Sequence, residues 1–511
     1  MKKTSLTSAL TLGALKAIGY TAKSVKAEIR DNLMACLKDQ SNPFEGIIGY
    51  EDSVIPETER ALLSQHNILF LGLRGQAKTR MARQMVQLLD EYIPVVAGSE
   101  IQDNPFAPIS KYARDLIQAK GDDTPIHWLH RSERYGEKLA TPDVSVADLI
   151  GDIDPIKAAH QKLSFADELA IHYGIIPRSN RGIFVINELP DLQARIQVGL
   201  FNILQEGDIQ IRGFKLRMPL DMLFVFTANP EDYTNRGSIV TPLKDRIESQ
   251  ILTHYPRSLE SALAITEQEV QLTPEQKSRV DLSDLVKRLV EQVAFEARNN
   301  EMVDKKSGVS ARLTIAALEN AISSAERRAI IHGESQTSVW MTDLYNIVPA
   351  ITGKIELVYE GEQEGPYQVA LNLIEKSIRT LFTDYFPNPE ASKKKGKANT
   401  KQVASPPVNP YQSILSWFDK GNQLNIMADT KDSQRIAQLY QVEGLFGLVK
   451  AHYPKANEKE SALLMEFVLH GLAAYSLISK QQIEGQWTFR DLMGSMLNWG
   501  NSDEGEGEDL G

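Results

Sequence analysis

Residues 68–80 read ILFLGLRGQAKTR. An apolar run meets a glycine-bearing loop. Met81, Met85, Leu88 and Leu89 then follow at helical spacing. Strand, loop and helix in this order carry the phosphate-cradling pattern G-x-x-x-x-G-K-[ST]. Gly72, Lys78 and Thr79 fit it. Ala77 stands where the last glycine is expected, and Gly75 is an additional glycine inside the loop. Phosphate oxygens need several converging donors. Loop N–H groups and a helix N-terminus supply them without a counter-charge to desolvate. In this pattern Lys78 reaches the β- and γ-phosphates of a nucleoside triphosphate, and Thr79 turns its hydroxyl to Mg²⁺. Gln76 and Arg80 belong to the same candidate set, and Arg74 adds positive charge. Ala77 is expected at negative φ, where a methyl group is no steric problem. The competing reading is a glycine-bearing turn that binds nothing.

Further segments argue against that turn. In RGIFVINELPDL, residues 181–192, four apolar residues run into Asn187 and Glu188. Such a run suits a strand buried on both faces of a parallel sheet, whose C-terminal end is where ligands lie. Glu188 is the candidate to orient or deprotonate an attacking water. Asn187 takes the place of the aspartate that usually helps to hold Mg²⁺. Its amide oxygen still accepts a hydrogen bond from a metal-bound water, but a full negative charge is gone. The expectation is weaker Mg²⁺ retention, not its loss, because Mg²⁺ is held largely by phosphate and water. Asp148, Asp152 and Asp154 could restore that charge, though loop and cap roles suit them better. MLFVFTANP, residues 222–230, is a second buried strand that ends near Asn229, a candidate to touch the γ-phosphate or the water. Arg246, after Leu243-Lys244-Asp245, is the candidate arginine finger for a neighbouring subunit, with Arg236 as a second choice. Arg312 opens a helix in GVSARLTIAALENA.

The 511 residues suffice for about three domains. Residues 1–41 read as an N-terminal helical segment, preferred over a signal peptide because Lys16 interrupts the apolar run. Residues 42–256 alternate strands and helices as an α/β core. A helical region over 257–355 and a hinge or helical extension over 356–386 come next. A Lys-, Pro- and Ser-rich linker covers 387–410, a helical domain 411–497, and an acidic tail 498–511. Residues 99–140 are longer than the core pattern requires. Their His127 and His130 suit an ordered surface or interface loop better than a metal site. Cys36, the single cysteine, excludes an intrachain disulfide and fits the cytoplasm. No stretch of 18 uncharged apolar residues offers a membrane span. Net charge −11 disfavours a nucleic-acid partner for the chain as a whole.

Taken together, GLRGQAKT, FVINELPDL, TANPEDY, PLKDRI and VSARLT resemble an AAA+ ATPase, in particular its magnesium-chelatase and MoxR branch, over roughly residues 40–355. PDVSVADLIGDIDPIKAAHQKLSFADELAIHYGIIPRSNRG resembles the insert that precedes the metal strand there, and QIRGFKLRMPLDMLFV the hairpin before the first sensor. The resemblance implies a P-loop AAA+ core with a parallel sheet, an all-α lid and a C-terminal helical domain. It implies ATP and Mg²⁺ as cofactors, held through Lys78 and Thr79. It makes Glu188 the catalytic glutamate, Asn229 the first sensor, Arg246 the trans finger and Arg312 the second sensor. Ile47, Ile48 and Gly49 match the adenine side. It further implies a homo-oligomeric ring, usually hexameric, and a separate chain with a von Willebrand factor A domain as partner.

These features favour an ATP-hydrolysing motor that remodels a client or assists metal insertion into it, slow without its partner. True magnesium chelatase is a minority case, given the long insertion and the extra C-terminal region. A non-hydrolysing, nucleotide-dependent scaffold is the main alternative, resting on Asn187. A DNA motor would call for a basic pore that the acidic balance does not suggest.

Overall fold

The computed structural model describes residues 7–164, 167–206, 208–211, 217–230, 238–390, 409–483 and 485–492. Arg236, most of the 387–410 linker and the 498–511 tail lie outside the described residues. The chain divides into two units, Met1–Tyr255 and Pro256–Gly511.

The first unit begins with helices α1 (Leu12–Ala17), α2 (Val25–Lys38) and α3 (Val54–Leu63). Strand β1 (Ile68–Leu71) and helix α4 (Lys78–Gln84) follow. Strands β2 (Tyr92–Val96), β3 (Ile126–His130), β4 (Tyr135–Leu139), β5 (Gly151–Ile153) and β6 (Ile171–Tyr173) lead to β7 (Gly182–Asn187). Next come β8 (Asp208–Gln210), β9 (Arg217–Pro219), β10 (Met222–Ala228) and β11 (Ser249–Leu252). The central sheet has the order β11-β1-β10-β7-β4, and every pairing in it is parallel. All its strands therefore end on one edge.

Side chains alternate across a strand, so an unbroken apolar run fills two cores at once. Ile183 and Val185 of β7 join Ile68, Phe70, Leu223 and Val225 on one face, under α2, α3 and α4. Phe184 and Ile186 join Leu69, Phe224 and Phe226 on the other, with Leu189, Ile196 and Leu243. Each such side chain contributes about 1.5–3 kcal/mol on full burial. An ion pair fastens α2: the buried Arg134 guanidinium donates to both Glu28 carboxylate oxygens, at 2.7 and 2.8 Å.

The segment 126–139 is not the surface loop expected. It forms β3, which pairs with β2, and β4, the edge strand beside β7. His130 Nδ1 lies 2.7 Å from Ser132 Oγ. Among the described residues, no three His, Cys, Asp or Glu side chains are placed to hold a metal. No helix among them is long and apolar enough to cross a membrane.

The second unit is mainly helical, with long helices at Asp284–Asn299, Arg312–His332, Pro366–Tyr385 and Glu458–Ala474. Two-residue strands β12 (Val280–Asp281) and β13 (Thr337–Ser338) pair with each other. The reading of 411–497 as a purely helical domain needs correcting. It contains β14 (Leu424–Met427), β15 (Ser479–Ile483) and β16 (Gln486–Arg490), an antiparallel sheet in the order β14-β16-β15. Nor does it have a core of its own, because Leu373, Ile378 and Phe382 share one cluster with Tyr411, Phe418, Phe467 and Phe489. A Cβ on Gly471 would fall 2.1 Å from the Phe382 ring, so that glycine sets how closely the two helices approach.

Candidate functional site

The candidate residues of the first unit gather where β1, β7 and β10 end. Leu71 of β1 lies opposite Ala228 of β10 in the register, and Phe226 opposite Ile186 of β7. The loops that follow are thereby brought side by side. Gly72 leaves β1 under tight packing. A Cβ there would fall 2.0 Å from Thr253 Oγ1 and 2.3 Å from Gln76 Oε1. Thr253, just past β11, donates to Gln76 Oε1 at 2.7 Å and pins the loop. Tyr50 Oη lies 2.8 Å from the Gln76 carbonyl oxygen, joining the loop to the Ile47–Tyr50 stretch. There Ile48 is half-buried, and Gly49 has φ +83°.

Gly75 has φ +71°, as a glycine can at little cost. Ala77 corrects the sequence expectation. Its φ and ψ are +54° and +16°, the left-handed region, not negative φ. An alanine there costs about 1–2 kcal/mol relative to the right-handed form. Position 77 is thus one that glycine would fill without strain.

Lys78, the first residue of α4, is buried. Its Nζ donates to the Gly72 carbonyl, to the Leu73 carbonyl at 2.9 Å and to Asn229 Oδ1 at 2.7 Å. Asn229 Nδ2 donates in turn to Glu188 Oε2 at 2.9 Å. One amide therefore bridges the loop lysine and the candidate base. Glu188 has φ +55°, and its N–H donates to Thr227 Oγ1 at 3.2 Å. A left-handed glutamate at a strand end is strained backbone of the kind that gathers at functional sites. Thr79 Oγ1 donates to Asn187 Oδ1 at 3.2 Å, and Thr227 Oγ1 reaches the same oxygen at 3.1 Å. Arg80 follows Thr79 in α4 and is half-buried.

Three residues that sequence reasoning missed, Glu137, Arg83 and Tyr135, complete the cluster. Glu137 Oε1, on β4, accepts from Asn187 Nδ2 at 2.6 Å. The same carboxylate accepts from Arg83 Nε at 2.9 Å and Arg83 Nη2 at 3.0 Å. Tyr135 Oη donates to it at 2.9 Å. Burial pushes the Glu137 carboxyl up, but the hydrogen bonds from Arg83, Tyr135 and Asn187 outweigh it and hold the carboxyl below its usual range. The aspartates considered for this duty do other work. Asp148 closes a capping box with Ser145, and Asp154 caps the helix Pro155–Gln161. Asp152 accepts from the Ile153 N–H. A cleft of about 540 Å³ near these aspartates includes none of the phosphate-loop residues.

The donor set fits a magnesium nucleotide. Two hard oxygens, the Thr79 hydroxyl and the Asn187 amide, lie 3.2 Å apart, and the Glu137 carboxylate holds the far side of that amide. An ammonium and a helix N-terminus stand beside them.

Comparison with known proteins agrees with this geometry. The magnesium-chelatase 38 kDa subunit of Cereibacter sphaeroides is 24% identical over 235 residues, which cover 44% of this chain and 62% of that protein. The same subunit of Rhodobacter capsulatus is 26% identical over 227 residues, covering 44% and 59%. These relatives support reading the chain as similar to AAA+ ATPases of the magnesium-chelatase branch. It spans less than two thirds of the length of these curated relatives. A structure of the complex between subunits BchI and BchD of magnesium chelatase matches at 21% identity and a TM-score of 0.32, covering 63% of this chain and 98% of that one. No family model matches the chain.

Arg246, the remaining candidate of the first unit, makes its contacts outside the cluster. Arg246 caps the short helix Thr241–Asp245. Its guanidinium donates to Gln205 Oε1 at 3.0 Å and the Pro242 carbonyl at 2.7 Å, and lies over the Phe201 ring at 5.1 Å. Arg312 is exposed at the first residue of Arg312–His332, in the second unit.

Proposed function

We propose that the protein binds and hydrolyses ATP as a motor of the MoxR and magnesium-chelatase type. The observation that carries this reading is the Lys78–Asn229–Glu188 chain beside Thr79 and Asn187. It joins the residues that would neutralise phosphate to the one that would take a proton from water.

In this reading the loop N–H groups and Lys78 bind the β- and γ-phosphates. Glu188 orients the water and accepts its proton, with its carboxylate aimed by the Asn229 amide. A base so placed is worth about 10²–10⁴ in rate. Thr79 and Asn187 would hold Mg²⁺, which when bound draws charge from the phosphate oxygens. Ile48 and Gly49 flank the base. Arg246 makes its hydrogen bonds away from its own Lys78–Glu188 cluster, as a residue serving a neighbour's site would. Such fingers contribute about 10³–10⁵ in rate. A homo-oligomeric ring, hexameric by the resemblance, follows from that need. The helices of 257–355 act as the lid that carries Arg312. The family resemblance supports a separate partner with a von Willebrand factor A domain, and an as yet unidentified client that is remodelled or loaded with metal.

Phosphate release from MgATP tests this in the wild type and in Glu188→Gln, with ATP binding measured in both. Turnover is expected in the wild type, lowered about 10²–10⁴-fold in the variant while binding persists. Tight binding without turnover in either, even with the partner present, would replace the motor by a nucleotide-dependent scaffold.

A further inference from the structure

Asn187 looks like a loss when β7 is viewed alone. Beside β4 it looks like half of an exchange. A carboxylate can only accept, so Glu137 obliges the Asn187 NH₂ group to face it, at 2.6 Å. The amide oxygen is thereby turned to the Thr79 hydroxyl, 3.2 Å away. An aspartate at 187 would set two carboxylates at that distance, which disfavours ionisation of both. The Arg83 partner does not cancel the charge of Glu137 evenly. The Arg83 side chain is 63% exposed and screened by water, while that of Glu137 is 22% exposed and faces the site.

We propose that Glu137 is a positioning residue for the divalent cation. It orients Asn187 and supplies, one residue further from the metal, the negative charge that an aspartate would carry at 187. This rests on the nucleotide-binding reading above. Outer partners of this kind typically change metal affinity by about 10–100-fold when removed.

The test is Mg²⁺ titration of a fluorescent ADP analogue bound to the full-length protein. Wild type is compared with E137Q, N187D, the exchange variant E137Q/N187D, and K78A. Thermal melting checks that each is folded. E137Q is expected to weaken Mg²⁺ about tenfold or more, with affinity for the metal-free nucleotide unchanged. N187D alone is expected to give no tighter Mg²⁺ binding at neutral pH, because its new carboxylate meets Glu137. The exchange variant is expected to regain most of the lost affinity, since a glutamine at 137 can donate to a carboxylate at 187.

Unchanged Mg²⁺ affinity in E137Q would overturn the proposal. So would an equal loss for metal-free nucleotide, or N187D binding Mg²⁺ more tightly than wild type. Failure of the wild type to bind the analogue, with K78A no different, would overturn the nucleotide-binding reading itself and this proposal with it.

Discussion

The phosphate cluster and the polar core of the second unit are both built from charged side chains, yet they are wired differently. Among its contacts Lys78 Nζ has carbonyl oxygens and the Asn229 amide, and Thr79 and Glu188 beside it are half-exposed. In the second unit Arg435 and Glu466 are fully buried, 2.8 Å apart. Arg328 lies 2.7 Å from Asp343, also buried. Trp340 Nε1 and Thr337 Oγ1 both donate to Asp432 Oδ1. A neutral acceptor can give up an ammonium to an incoming phosphate without leaving a bare charge. A buried ion pair has no such freedom, because removing one member strands the other in a medium of low dielectric. The first arrangement can exchange partners with a ligand. The second holds one geometry.

The largest effect that would break this comparison belongs to Arg435→Met. It leaves the Glu466 carboxyl buried without its guanidinium partner, and is expected to cost about 3–5 kcal/mol. Urea unfolding followed by tryptophan fluorescence reads this, since Trp340 and Trp487 both lie in the second core. Adding Glu466→Leu should recover most of the loss, because a well-packed apolar pair substitutes for a buried ionic one. Burial pushes the Glu466 carboxyl up despite Arg435 and the Met341 N–H. A loss below about 1 kcal/mol would therefore mean that the carboxyl is protonated, and the pair not ionic.

A smaller effect comes from pH. His470 is buried, stacked on Tyr345, with Nδ1 3.1 Å from Tyr345 Oη and 3.4 Å from Lys480 Nζ. Burial, followed by the charges of Lys480 and Arg435, pushes its pKa well below the usual value. The unfolded chain therefore takes up a proton that the folded chain refuses. The contribution of His470 is complete above about pH 6.5 and falls as pH drops, by at most about 1.4 kcal/mol per unit. Between pH 6.5 and 5 the wild type should lose up to about 1.7 kcal/mol more than His470→Gln does. Equal slopes in the two proteins would show that the ring is not kept neutral.

How much of this was legible in the sequence depended on how local the cause was. The phosphate loop is contiguous, and its strand and helix flank it. The doubly buried strands show as unbroken apolar runs. Glu137 was hidden because 50 residues separate it from Asn187. Its strand, YGEKL, has no buried residue to betray it. The sheet of β14, β15 and β16 was missed for a related reason: SKQQI is mostly polar and has no fully buried residue, so period and hydrophobicity both read as loop. The shared core of 366–385 and 458–474 comes from side chains meeting across distant segments, which no local pattern records. The conformation of Ala77 was misjudged because residue type alone does not set φ when a loop must close in the left-handed region.

That residue supplies the finest test of the contrast. If the loop is shaped for a ligand at the expense of its own stability, Ala77→Gly should relieve strain without moving any polar group. Removing the methyl gains about 1–2 kcal/mol at a left-handed position. The greater freedom of glycine in the unfolded chain takes back about 0.5–1 kcal/mol. The net expectation is a gain of about 0.5–1 kcal/mol in the unfolding free energy of the first unit, at the limit of what denaturant titration resolves. Nucleotide affinity then tells where the strain resides. If the left-handed turn is kept on binding, the gain applies equally to free and bound protein, and affinity stays within about twofold. A several-fold rise in affinity would mean that binding adds to the strain at Ala77. A loss of stability would mean that alanine at 77 is not held left-handed at all.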